Sequence, residues 1–232
     1  MPDRGVKMEL FDQFARVAQA LASGRRVEIV DVLTNGDRTV EELARQVGLS
    51  TANTSQHLQV LKAAGLVAAA RDGTRVRYRL ASPAVYKFWV ELRSLAAERL
   101  PGVTGLVETY LGSREGLEPV SREELLARLE AGEALVVVDV RPVEEYRTAH
   151  LPGAVSIPLD QLELRLRELP RESQIVAYCR GPYCALAPEA VRTLREHGYA
   201  ARHLADGLPE WVAAGNAIES VAAGISTYSR RR

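Results

Sequence analysis

The hydrophobic period of this chain changes near residue 119, and that change excludes one architecture running through all 232 residues. Up to about residue 100, apolar residues recur every three or four positions. Beyond 119, the β-branched runs "ALVVVDVR" (134–141) and "QIVAYC" (174–179) alternate with helical patterns. Runs that stay apolar at consecutive positions suit strands covered on both faces, so the second half is expected to be an α/β parallel sheet with helices on both sides. The first half is expected to be mainly α. A chain of this length holds two such domains.

In the first half, Leu10, Phe14, Val17 and Leu21 mark one face of a helix, and Val27, Val30 and Leu33 mark a second that stops at Gly36. Two short helices follow, "TVEELARQVG" and "LSTANTSQHLQVLKAAG", joined by a tight turn from Gly48 to Ser50. Thr39 with Glu41 and Glu42 opens the first; Ser50 caps the second and Gly65 stops it. Leu58, Val60 and Leu61 form the expected buried stripe of the second helix. Its first turns crowd Thr51, Asn53, Thr54, Ser55, Gln56 and His57, hydrogen-bonding groups suited to base edges and phosphates in a major groove. The hairpin "LVAAARDGTRVRYRLAS" turns at Asp72-Gly73 and carries Arg71, Arg75, Arg77 and Arg79, expected to share one face and grip phosphates. Charge agrees: residues 1–100 carry 15 basic against 11 acidic side chains, and 101–232 carry 15 against 19.

The stretch from Arg25 to about Leu100 resembles the ArsR family of winged helix-turn-helix repressors, whose wing is the β-hairpin. The resemblance implies a homodimer on near-palindromic double-stranded operator DNA, with the first helix and "SPAVYKFWVELRSLAAERL" at the interface. In that last helix Val85, Phe88, Trp89, Leu92 and Leu95 suit either a partner or the protein's own core. Metal-sensing members carry thiols before the recognition helix, or carboxylates and histidines along the last helix. Here "TVEELARQVG" has no thiol and the last helix no His, so no metal site is expected there.

In the second half, residues 101–118 mix Pro and Gly with a short helical patch and read as a linker. Ser121 and Glu124 have capping-box spacing, and a helix is expected through Leu169. The only cysteines, Cys179 and Cys184, flank "RGPY" at the end of an expected strand, where parallel sheets place their functional crevice. Gly181 and Pro182 let main-chain N–H groups turn inward, and with Arg180 they are expected to hold Cys179 as a thiolate. These residues, with "DVRPVEEYRTAHLPGAVSIPL" and "LADGLPEWVAAG", resemble the rhodanese family of sulfurtransferases. The resemblance implies that Cys179 accepts sulfur within a cradle of Arg180, Gly181, Tyr183 and Cys184. Asp139 and Arg141 are expected to be structural, and His150 to be a turn residue. Tyr183 and Cys184 depart from the loop of thiosulfate users, and Cys184 is placed to resolve a sulfenic acid or persulfide at Cys179. Ala185 stands where related phosphatases have a closing Arg.

The expected division is residues 1–100 for DNA binding and dimerisation, 101–118 linker, 119–217 rhodanese-like domain and 218–232 tail. The leading expectation is a DNA-binding regulator whose rhodanese-like domain senses or processes a small sulfur species or oxidant through Cys179. Two others stand beside it: a sulfurtransferase, fed by thiosulfate or a protein persulfide donor, with an autoregulatory DNA-binding domain, and metalloid capture by the cysteine pair. No cofactor is expected. No apolar run approaches the ~18 residues of a spanning helix, and the first residues lack a secretory pattern, so a cytoplasmic protein without membrane contact is expected.

Overall fold

The computed structural model describes residues 3–112 and 116–221. The segment 222–232, most of the expected tail with its terminal arginines, lies outside the described residues. The chain divides into two compact units, one to Leu95 and the other from Ala96. Among the described residues no helix is long and apolar enough to cross a membrane.

The first unit contains α1 (Arg4–Leu21), α2 (Gly24–Leu33), β1 (Arg38–Thr39), α3 (Val40–Gln46), α4 (Thr51–Ala63), β2 (Val67–Asp72), β3 (Arg75–Leu80) and the start of α5 (Pro83–Arg99). Local capping sets the helix starts. The Thr39 hydroxyl accepts from Glu42 N–H while the Glu42 carboxylate accepts from Thr39 N–H, and Ser50 Oγ accepts from Asn53 N–H. The three strands pair in the order β1-β3-β2, all antiparallel. Ile29, Val30, Leu43, Leu58 and Leu61 form the centre of the core, with Tyr78 of the wing and Trp89 of α5 closing it. Trp89 Nε1 donates to Asp31 Oδ1 at 2.9 Å, which fixes α5 on α2. Val60 is corrected: it is exposed, because i+2 from Leu58 lies across the helix from the buried side.

The second unit continues with α6 (Gly102–Leu111), α7 (Arg122–Glu130), β4 (Leu135–Asp139), α8 (Val143–Thr148), β5 (Val155–Ser156), α9 (Leu162–Arg165), β6 (Gln174–Tyr178), α10 (Leu186–Glu196), β7 (Ala201–His203) and α11 (Leu208–Ala213). Its sheet is parallel throughout, ordered β5-β4-β6-β7, and a core covers each face. Val138, Ile157, Leu162, Ile175, Val191 and Leu194 fill one; Val120, Leu125, Val137, Val176, Leu204 and Trp211 fill the other. The fold is therefore a mainly helical winged helix-turn-helix followed by an α/β parallel-sheet unit.

Four stretches differ from the sequence reading. Residues 101–118 contain α6 and supply Leu117 to the α10-side core. The helix expected through Leu169 is the short α9 between 3₁₀ turns at Leu159–Gln161 and Leu166–Glu168, since Leu159/Leu162 and Leu166/Leu169 repeat at the three-residue period of that tighter helix. Ser121 Oγ does accept from Glu124 N–H, but the Glu124 carboxylate takes Arg202 Nη1 at 2.6 Å instead of closing the box. Beyond residue 217 the chain stays on the unit, where Glu219 and His150 exchange both main-chain hydrogen bonds at 2.9 Å.

Candidate functional site

Strand alternation decides where the first sulfur goes. Along β6, Ile175 and Ala177 face the α10 side while Val176 and Tyr178 face the α7 and α11 side, and Cys179 continues the first series. Its side chain is sunk in that core and only 4% exposed. The chain then turns sharply. Gly181 takes φ +142°, a conformation that favours glycine, and Cys184 N–H donates to Gly181 O at 3.0 Å before α10 begins. Cys179 and Cys184, both free thiols, line one cavity of about 210 Å³ with Pro119, Pro182, Pro188 and His203 among its other walls.

The two sulfurs differ in character. Burial pushes the Cys179 thiol well above its ordinary range, and its S–H faces the carbonyl oxygens of Cys184 at 3.7 Å and Gly181 at 4.0 Å. Carbonyls accept from a thiol and repel a thiolate. Cys184 is half-buried and is drawn down to about 6, first by the hydrogen bond from Cys179, then by the main-chain N–H groups of Arg180 and Leu186 and the Arg180 charge, against its own burial. The expected thiolate at Cys179 is thus opposed by burial and by its carbonyl partners, although the main-chain N–H groups of Ala187 and Gly181 favour ionisation there as those of Arg180 and Leu186 do at Cys184.

Contacts from α8 and α11 fix the loop. Arg180 does not point its guanidinium into the cavity; it forms a forked pair with the buried carboxylate of Glu145 in α8, at 2.7 to 3.2 Å. Tyr183 is half-buried on the loop, outside the cavity wall. Gly207, at the start of α11, touches the loop backbone so closely that an added Cβ would lie 2.3 Å from Gly181 N and 2.4 Å from the Arg180 carbonyl carbon. Gly207→Ala must therefore move the loop. We expect it to destabilise the unit by about 1–3 kcal/mol and to change the alkylation rate of Cys184 severalfold, read by thermal melting and timed thiol labelling; an unaltered melt and labelling rate would contradict the contact.

Behind the site, Asp139 and Arg141 are both fully buried. Arg141 Nη2 donates to Asp139 Oδ2 at 2.6 Å and to Ala149 O at 2.8 Å, and Arg141 Nε donates to Asp139 Oδ1 at 2.9 Å. Burial opposes the Arg141 charge, but the hydrogen bond and charge of Asp139 outweigh it and raise its pKa. Tyr178 OH completes the network, donating to Asp139 Oδ2 at 2.5 Å and accepting from Leu151 N–H. His150 donates from Nδ1 to Tyr146 O at 2.7 Å and stacks on the Tyr146 ring, as a turn residue would. Tyr178, Glu145, Gly207 and His203 were not singled out from the sequence. His203 was findable: "RHLADG" follows an apolar run, and the end of β7 lies beside the end of β6.

In the first unit, Thr51, Asn53 and Gln56 are exposed on the first turns of α4, with Ser55 and His57 half-buried beside them. Thr54 is corrected as a DNA-contact candidate, being fully buried with its hydroxyl donating to Ser50 O at 3.0 Å. It shares the Leu58 and Leu61 face by helical spacing. In the wing, Arg75, Arg77 and Arg79 lie on one face, opposite the buried Tyr78. Arg71 departs from them: it pairs with Val76, whose side chain shares the Tyr78 face. Arg77 Nη2 also donates to Asp37 O at 2.7 Å, tying the wing to the loop after α2. Val85 and Trp89 of α5 belong to the core, whereas Phe88 and Leu95 are exposed, as are Leu10, Phe11 and Phe14 of α1.

Known proteins match both units. Residues 23–69 match the model of the arsR family of bacterial regulatory proteins, and residues 121–214 match the rhodanese-like domain. An HTH-type transcriptional regulator of Mycobacterium tuberculosis is 46% identical over 213 residues, covering 92% of this chain and 93% of its own. A putative sulfur carrier protein of Bacillus subtilis is 32% identical over 93 residues, 40% of this chain and 49% of that one. The solution structure of a homodimeric winged helix-turn-helix domain from Mycobacterium bovis is 43% identical, covering 44% of this chain and 93% of its own, with a TM-score of 0.41.

Proposed function

The chain belongs to the arsR family of bacterial regulatory proteins and carries a rhodanese-like domain behind its winged helix, and from that premise we propose that it binds operator DNA as a homodimer and changes its occupancy when reactive sulfur modifies the Cys179/Cys184 pair. One observation carries the reading. The chain's only two thiols meet in a single cavity at the carboxyl end of the second unit's sheet, while the DNA-binding unit has none. Exposed Asn53 and Gln56, with Thr51 beside them, supply base-reading groups, and Arg75 and Arg79 supply phosphate contacts.

The cavity also favours one class of effector. Its walls are two thiols, an imidazole, three prolines and small apolar groups, and the nearest guanidinium is paired with Glu145. A compact polysulfide or hydropersulfide suits such walls better than the dianion thiosulfate, which asks for an unpaired cation. This supports sensing over turnover with thiosulfate.

For a ligand to move the equilibrium, modified and reduced forms must differ in free energy between the DNA-competent and incompetent states. Coupling of ~1–3 kcal/mol is common, so operator affinity is expected to change at least about tenfold when the wild-type protein is treated with sodium tetrasulfide. The Cys179→Ser/Cys184→Ser double variant should show the untreated affinity with or without tetrasulfide, and thiosulfate should leave the wild type unchanged. Equal affinities for wild type in all conditions would remove the proposal.

A further inference from the structure

Resting on the sulfur-sensing reading above, we propose that His203 holds the charged end of a polysulfide in the cavity and stabilises the sulfur that leaves when Cys179 accepts one. Register places the imidazole there. His203 lies opposite Ala177 across the parallel β6–β7 pair, and Ala177 shares its face of the sheet with Cys179, two residues on. Below that level the two strands present only apolar side chains to the α10 side: Ile175, Ala177 and Ala201. His203 is the first polar group on this face and only 5% exposed, at a position where an aliphatic side chain would pack at lower cost. It forms part of the cavity wall with both cysteines, and it is the one side chain with an N–H donor among the described residues lining that cavity. The Arg180 guanidinium is committed to Glu145.

The chemistry calls for such a group. Cys179 Sγ bonds the terminal sulfur of hydrogen tetrasulfide, the adjacent S–S bond breaks, and trisulfide departs with that electron pair. The proton given up by Cys179 ends on the trisulfide. One sulfane sulfur is transferred, and thiol plus hydrogen tetrasulfide balance persulfide plus hydrogen trisulfide. Negative charge therefore moves along the chain, away from Cys179 and onto the departing sulfur. An N–H donor in the cavity wall strengthens its hydrogen bond as that charge grows, and it is oriented before the reaction begins. Neutral imidazole keeps one N–H and its protonated form two, so the role needs no fixed positive charge.

Two readouts separate contact with the sulfur chain from a packing role. The protein has four histidines, His57, His150, His197 and His203. In the full-length Cys179→Ser/Cys184→Ser variant, which has no thiol to accept sulfur, sodium tetrasulfide should shift the His203 side-chain resonances saturably in NMR spectra of histidine-labelled protein and leave the other three unmoved. With both thiols present, His203→Leu should slow sulfur uptake from tetrasulfide at Cys179 at least about tenfold, read by peptide mass spectrometry. Alkylation of Cys179 by uncharged iodoacetamide should stay within about twofold of wild type, since iodide leaves without help from a donor. A His203 signal that does not move, an unchanged rate of sulfur uptake in His203→Leu, or equal slowing with both reagents overturns the proposal. Failure of the sensing reading looks different: the resonance shift and the slowed uptake hold while operator affinity does not respond to tetrasulfide.

Discussion

Asp139→Ala should lower the unfolding midpoint of the second unit by on the order of 15 °C or more, the largest stability effect expected from a single side chain here. Asp139 and Arg141 have no measurable exposure, and the Asp139 carboxylate hydrogen-bonds the guanidinium directly, while the Glu145 carboxylate stands 3.9 Å from Nη1. Removing it strands a buried cation. Breaking a buried pair by deleting one partner costs about 3–5 kcal/mol, and each kcal/mol moves the midpoint by about 4 °C in a unit between the ~100- and ~150-residue classes. Tyr178 OH also loses its acceptor, leaving a second buried donor unsatisfied. Calorimetry of the full chain reads this directly. Because the penalty belongs to the orphaned charge, Asp139→Ala/Arg141→Met should recover a substantial part of the loss. A double variant as unstable as the sum of the single changes would place the cost elsewhere.

Much of the architecture was legible because it depends on local chemistry. The caps at Thr39 and Ser50, the turn at Asp72-Gly73 and the β-branched runs at 135–139 and 174–178 act through neighbours in sequence. The site was legible only in outline. Cys179 was placed correctly at a strand end, but parity with Ile175 and Ala177 buries it, and the turn's amides are shared between it and Cys184. Thr54 was likewise readable as buried, four and seven residues before Leu58 and Leu61 on one helical face. Other features depend on contacts between residues far apart in the chain. Nothing local to Gly207 reveals that its missing Cβ makes room for the Arg180–Gly181 backbone, and nothing local to Arg180 reveals that Glu145 takes its charge.

Phe11→Glu/Phe14→Glu should convert the dimer to a monomer and weaken operator binding by at least about a hundredfold. The rings of Phe11 and Phe14 sit 5.8 Å apart on α1, each more than half exposed, and Leu10 lies on the same side. Exposure on that scale by neighbouring aromatic side chains is uncommon in a surface meant for water. Phe88 and Leu95, one heptad apart on α5, are also exposed, as are Val6 and Met8 of α1, and α1 and α5 are the helices that the family resemblance places at a dimer interface. Since neither phenylalanine belongs to the core, the variant should keep its melting midpoint at low protein concentration, and sedimentation should report the monomer. The DNA effect follows from geometry. Two recognition helices joined in a dimer bind the second half-site at an effective concentration set by the linkage, a gain of about 10²–10⁴ that a monomer forfeits without losing any contact to its own half-site. A glutamate variant that remains dimeric and binds as wild type would move the interface off α1. One that is monomeric yet binds at full affinity would instead mean that each recognition helix and wing suffices alone.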